Sequence, residues 1–192
     1  MILRPAPLAG AFVVEVEPHG DERGYFARTW CHDEFAAGGL DVQMVQASVS
    51  HNRQSGTLRG MHFQWPPSRE GKLIRCQAGA MHDVLLDLRP DSATYLQHFA
   101  ATLSAQAHNA LYCPPGVAHG FQTLAPDTIV YYMMTDYYRA ELYGGVRHDD
   151  PAFGIRWPLP VAAIHERDHS YPDFDRGRHA ERFGAAAGIG GA

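Results

Sequence analysis

The run Gly56-Thr57-Leu58-Arg59-Gly60-Met61-His62-Phe63-Gln64 is followed eight residues later by Lys72-Leu73-Ile74-Arg75-Cys76, then by Pro114-Pro115-Gly116-Val117-Ala118-His119-Gly120-Phe121. Each is a short, mainly apolar stretch, too brief for a typical helix and edged by glycine or proline, which reads as a β-strand between turns. Comparable segments recur along the chain: Ala11 to Val16, Gly24 to Thr29, Gln43 to Ser50, Met81 to Leu88, Tyr95 to Leu103, Ala110 to Cys113 and Asp127 to Thr135. Many short strands rich in Val, Leu, Tyr and Phe indicate an all-β sandwich, jelly roll or barrel. The long helical periods that a βαβ chain requires are missing.

Asp33 to Gly38 and Val161 to Asp168 are expected as short accessory helices, the first with Asp33 as N-cap and Gly38-Gly39 as its stop. From Asp175 onward the chain carries Arg176, Arg178 and Arg182 and then small residues. That composition reads as a flexible tail, leaving residues 1–174 as a single domain and 175–192 as the tail.

With 192 residues, 45% of them hydrophobic, the chain can bury one substantial core. A net charge of -5 offers no basic field for nucleic acid, although a local arginine cluster could still grip a small anion. No apolar run approaches the ~20 residues of a membrane span. The N-terminus shows no signal-peptide pattern, and Cys31, Cys76 and Cys113 are widely spaced. They read as reduced thiols of a cytoplasmic protein.

The first of these strands also carries chemistry. An arginine, an imidazole and, on the next strand, an amine must each be satisfied by a partner or work on a ligand. In a regular strand Arg59 and His62 would face opposite sides. A bulge at Gly60 would bring both to one face, while the same glycine would also suit close strand packing. His62 alone is compatible with a hydrogen-bonded core histidine. With Arg59, Lys72 and His119 beside it, an anionic ligand or transition state becomes the more economical reading.

Pro115-Gly116-Val117-Ala118-His119 resembles the second motif of the cupin superfamily, whose histidine often binds metal. Here His62 is followed by Phe63-Gln64, not by a second histidine. A lysine with no lone pair at neutral pH is a poor metal ligand, so no metal is expected. Tyr131-Tyr132 and Tyr137-Tyr138 are compatible with packing, and Asp168 with an exposed helix-end charge.

Further landmarks extend the pattern in order from residue 11 to about 172: Gly20-Asp21-Glu22-Arg23-Gly24-Tyr25-Phe26, Gly71-Lys72, Asp83 to Arg89, Asp136-Tyr137-Tyr138, Asp149-Asp150-Pro151, Ile155-Arg156-Trp157-Pro158 and Glu166-Arg167-Asp168. Together they resemble the dTDP-4-dehydrorhamnose 3,5-epimerase family, enzymes acting on nucleotide-linked 4-keto sugars. The resemblance implies a cupin-type jelly roll, or double-stranded β-helix, a homodimer, and no metal or other cofactor. It implies His62 as the base that removes protons at C3 and C5, with Asp168 orienting it. Lys72 would stabilise the oxyanion at O4, and Tyr132 would return a proton to the opposite face.

By the same resemblance Arg23 and Arg59 would grip the diphosphate, Tyr138 would stack on the pyrimidine, and Gln46 would contribute to nucleotide binding. His119 would line the sugar pocket, with Asp83 behind it or behind Lys72. Arg28, Tyr143 and Arg167 stand at further substrate-edge positions, but depart from the family pattern. Arg28 and Tyr143 replace glutamates, Arg167 replaces a lysine, and Ala47-Ser48 replace an Asp-Asn pair. The expected function is epimerisation at C3, C5 or both of a nucleotide-linked 4-keto-6-deoxyhexose, dTDP-linked by first preference. Two alternatives remain: a metal-dependent cupin isomerase or dioxygenase using His119, and a noncatalytic nucleotide-sugar binding module.

Overall fold

A computed structural model describes residues 1–188. In chain order the strands are β1 (Ile2–Pro5), β2 (Phe12–Glu15), β3 (His19–Asp21), β4 (Gly24–Phe26), β5 (Gln46–Asn52), β6 (Thr57–Gln64) and β7 (Lys72–Ala78). They continue with β8 (Ala80–Asp87), β9 (His98–Ser104), β10 (Asn109–Cys113), β11 (Val117–Thr123), β12 (Thr128–Met134), β13 (Tyr143–Gly145) and β14 (Ala163–Ile164). The helices are α1 (His32–Ala37), α2 (Glu166–His169) and α3 (Arg176–Gly188). All ten expected strands are present, with shifted ends.

Two sheets form the body. The first has the order β1-β2-β10-β7-β12-β5, and the second β13-β6-β11-β8-β9, with β14 added in parallel to β6. From β6 to β8 and again from β9 to β12, successive strands alternate between sheets, the winding of a cupin-type jelly roll. Ile74, Leu85, Leu111, Phe121 and Val130 fill the space between the sheets. Outside the first sheet, Leu73 and Tyr112 pack with Phe35 of α1. Outside the second, Phe63, Val84 and Leu86 pack with Phe153. Strand β8 is therefore buried on both faces, which explains its near-continuous apolar run Val84-Leu85-Leu86.

Several local expectations are corrected. Cys31, not Asp33, occupies the N-cap of α1, and Asp33 falls in the first turn, where its charge suits the helix dipole. The expected helix from Val161 is shorter: Ala163-Ile164 join β6 as β14, and only Glu166–His169 turn as α2. The tail expected from residue 175 is a helix as far as Gly188, while residues 189–192 lie outside the described residues. His179 and Phe183, four apart and hence on one helix face, anchor it. The His179 imidazole is 5% exposed, with Nε2 2.7 Å from the Leu88 carbonyl, and Phe183 packs beside Phe63 and Trp65. Among the described residues no helix is long and apolar enough to cross a membrane.

If α3 is docked in this way, Phe183→Ala should lower stability by about 2 kcal/mol, read as a fall in thermal midpoint. A free tail would leave the midpoint unchanged.

Candidate active site

Strand β6 runs antiparallel to β11, with His62 opposite His119 and Arg59 opposite Phe121. Three steps on β6 thus match two on β11, which is a bulge, and it falls at Gly60-Met61. Arg59 and His62 consequently line the same cavity, of about 360 Å³. Gly60 is held at φ +113°, and a Cβ there would lie 2.6 Å from Gly120 Cα and 2.7 Å from the His119 carbonyl oxygen. Both readings of this glycine hold together: the bulge exists where two backbones touch.

The bulge also exposes a backbone donor. Asp168, in α2, accepts the Gly60 N–H at Oδ2 (3.2 Å) and lies 2.7 Å from His62 Nε2 through Oδ1. Its side chain is 3% exposed. The pairing of Ala163 with Thr57 and Ile164 with Leu58 brings the chain to this point, and α2 starts two residues later. Burial by itself raises the Asp168 pKa, but the hydrogen bond and charge of His62, the Gly60 N–H and Arg167 outweigh it and hold the carboxyl below its ordinary value. For His62 burial is the largest effect and lowers the pKa. Asp168 opposes it, while Lys72 and Arg167 push further down. A neutral imidazole thus faces an ionised carboxylate. Because a carboxylate only accepts, Nε2 carries the hydrogen and Nδ1 keeps its lone pair.

Lys72 opens β7 and Tyr132 lies on β12, both in the first sheet, and both line the cavity opposite the strand that carries His62. The Lys72 ammonium is paired with Glu70, whose side chain is only 8% exposed. Sequence reasoning missed Glu70, and its only local signal is a charge two residues from Lys72 across Gly71. His119 Nε2 is 2.8 Å from Asp83 Oδ2, both side chains being nearly inaccessible. Of the two partners considered for Asp83, the structure selects His119.

Also in the cavity wall, Arg59 Nε donates to Asn52 Oδ1 (2.8 Å), its only side-chain hydrogen bond among the described residues. Asn52 is itself fixed by donating to the carbonyls of Ser50 and Thr128. Gln46 Oε1 accepts the Tyr138 N–H (3.2 Å). Tyr143 stands 5.3 Å from the His62 ring and 5.5 Å from Tyr138, and the Arg167 guanidinium lies 4.5 Å above its ring. Burial pushes the Tyr143 phenol well up, so it remains a neutral donor.

Two expected substrate contacts are not in this cavity. Arg23 is exposed on the β3–β4 hairpin and paired with Asp21. Arg28 is paired with Glu34 beside α1 and lines a separate crevice. Among the described residues no group of three or more His, Cys, Asp or Glu is arranged to hold a metal ion. The His119 nitrogen facing Asp83 is already engaged.

Comparison with known proteins places the chain in a family. The sequence model of the family dTDP-4-dehydrorhamnose 3,5-epimerase matches residues 5–176. The Sinorhizobium fredii protein named dTDP-4-dehydrorhamnose 3,5-epimerase is 40% identical over 173 residues, covering 90% of this chain and 89% of its own. The crystal structure of the Bacillus anthracis enzyme of that name, with TDP and PPi bound, superposes with a TM-score of 0.87 at 36% identity, covering 90% of this chain and 99% of its own. That of the Legionella pneumophila dTDP-6-deoxy-D-glucose-3,5-epimerase, in complex with dTDP-4-keto-L-rhamnose, gives 0.82 at 31%, covering 87% and 89%. On its sequence and its fold, the chain belongs to the dTDP-4-dehydrorhamnose 3,5-epimerase family.

Proposed function

We propose that this protein is an isomerase that inverts C3, C5 or both of a nucleotide-linked 4-keto-6-deoxyhexose, dTDP-linked as in its relatives, by deprotonation and reprotonation through an enolate. The observation that carries this reading is the His62–Asp168 pair, opening onto a cavity that Lys72 and Tyr132 line from the facing sheet. The Bacillus anthracis and Legionella pneumophila relatives were solved with a thymidine diphosphate and a dTDP-keto sugar.

The chemistry follows from these groups. A proton α to a carbonyl is a weak acid, so its removal needs a placed base and stabilisation of the developing oxyanion. The Nδ1 lone pair of His62 takes the proton. The electron pair of the C–H bond moves into the carbonyl and leaves negative charge on O4, which the Lys72 ammonium stabilises. Asp168 supports the imidazolium so formed. Tyr132, on the opposite sheet, gives its O–H proton to the other face of the same carbon, and the centre is inverted.

Arg59 takes the diphosphate, for which an arginine with free terminal nitrogens is suited. Tyr138 and Gln46 hold the base, His119 lines the sugar pocket, and Arg167 with Tyr143 forms the wall above His62. The chain acts as a homodimer in this reading. Arg23 stands outside its own cavity, and Tyr25 and Phe26 beside it are 61% and 71% exposed, so a second copy gives the hairpin a cover and Arg23 a site. The cysteines, all free, suit a reducing cytoplasm.

In heavy water the protein should exchange hydrogen at C3 or C5 of dTDP-4-keto-6-deoxyglucose, followed by proton NMR. His62→Ala should abolish the exchange, and Lys72→Met should slow it about 100-fold or more. Full exchange in His62→Ala would remove the base from its role. A pH profile gives a separate check. His62 must be neutral to act, and its lowered pKa places the acid limb of kcat/KM below pH 6.5. Asp168→Asn removes contributions that raise that pKa, so the limb should move to still lower pH while the rate falls about 100-fold. A limb that moves upward would contradict the arrangement.

A further inference from the structure

Glu70 is an anomaly in this cavity. A site read as taking a diphosphate carries a nearly buried carboxylate in its wall, and that charge by itself repels the ligand. Both of its oxygens are already used. Oε1 meets the Lys72 ammonium and Oε2 accepts from Gln64 Nε2 at 3.0 Å. The Glu70 backbone N–H donates to Ser68 Oγ (3.2 Å), and the next residue is clamped to Thr135, Gly71 N–H giving to Thr135 Oγ1 (2.7 Å) and the Gly71 carbonyl accepting the Thr135 N–H (3.0 Å). Gly71 has no room for a side chain, since a Cβ would lie 2.8 Å from the Tyr112 hydroxyl and 3.1 Å from the Cys113 carbonyl oxygen. The carboxylate is thus fixed from its own backbone.

Gln64 is fixed as firmly. Its Oε1 accepts the Arg139 N–H (2.7 Å), and its Nε2 also donates to the Tyr137 carbonyl (3.1 Å). The turn that presents Tyr138 is therefore joined through Gln64 and Glu70 to the ammonium of Lys72. A lysine on a flexible four-carbon stem has many rotamers, and one carboxylate held at a fixed point selects among them.

We infer that Glu70 is a positioning residue for the reaction: it acts through Lys72, holding the ammonium where the oxyanion develops and linking it to the nucleotide-binding turn. The inference rests on the epimerase reading above. The two carboxylate oxygens of Glu70 already meet the Lys72 ammonium and the Gln64 amide, so its effect is assigned to the group it holds.

The test is a double-mutant cycle of wild type, Glu70→Gln, Lys72→Met and the double variant. Deuterium incorporation into saturating dTDP-4-keto-6-deoxyglucose is measured together with KM and dTDP affinity. Glu70→Gln should lower kcat about tenfold and leave KM and dTDP affinity within about twofold. In the Lys72→Met background it should cause no further loss, because its target is gone. Glu70→Asp, which keeps the charge but draws it back by one methylene, should retain more of kcat than Glu70→Gln. An unchanged kcat in Glu70→Gln, an effect confined to KM, the same tenfold loss without Lys72, or the reverse order of Asp and Gln would each overturn the inference. A wild type that exchanges normally while Glu70→Gln matches it leaves the function standing and removes only Glu70. A wild type without exchange removes both.

Discussion

One hydrogen bond, made across 106 residues between His62 Nε2 and Asp168 Oδ1, orders the rest of this cavity. It fixes which imidazole nitrogen is bare, and it is the largest of the contributions that hold the Asp168 carboxyl below its ordinary value against the upward push of burial. The second oxygen of the same carboxylate holds the N–H that the bulge at Gly60 frees from the strand ladder. The bulge, the dyad and the shared facing of Arg59 and His62 are therefore a single arrangement. Gly60 and Gly120, packed backbone to backbone, leave no side-chain volume for any other.

The two sheets then divide the labour. The second sheet supplies His62 and His119, each backed by a buried aspartate, and the first supplies Lys72 and Tyr132. His62 and Tyr132 thus line one cavity from facing sheets, the placement on which the proposed inversion rests. Positive charge from Arg59, Lys72 and Arg167 is set in the wall, with Lys72 paired to Glu70 and Arg167 beside Asp168, while Arg59 meets only the neutral Asn52 amide. Tyr143 makes the wall over His62 aromatic and neutral.

Much of this was legible in the sequence, for identifiable reasons. The strands that carry the site are bounded by turn residues and rich in apolar side chains, so their existence was plain. The bulge was legible because a glycine sits between two functional residues whose spacing is wrong for one face. The elements missed, β1, β3, β13 and β14, are at most four residues long and carry no alternation of their own. Helix α3 was hidden by its small residues, its anchors His179 and Phe183 reading as isolated. No local pattern could join His62 to Asp168 over such a separation. That pairing came only from the resemblance to a family. The resemblance had nothing to say of Glu70, and the two arginines it gave to the substrate, Arg23 and Arg28, stand outside the cavity of their own chain.

The central claim, a neutral His62 with its hydrogen on Nε2 and a bare Nδ1 facing the substrate, is tested most directly by side-chain ¹⁵N NMR of the histidines at neutral pH, with His62 assigned by substitution. The account predicts a protonated Nε2 and an unprotonated Nδ1 in the wild type, with that preference lost in Asp168→Asn. An imidazolium at pH 7, or a hydrogen on Nδ1 with Nε2 bare, would contradict it.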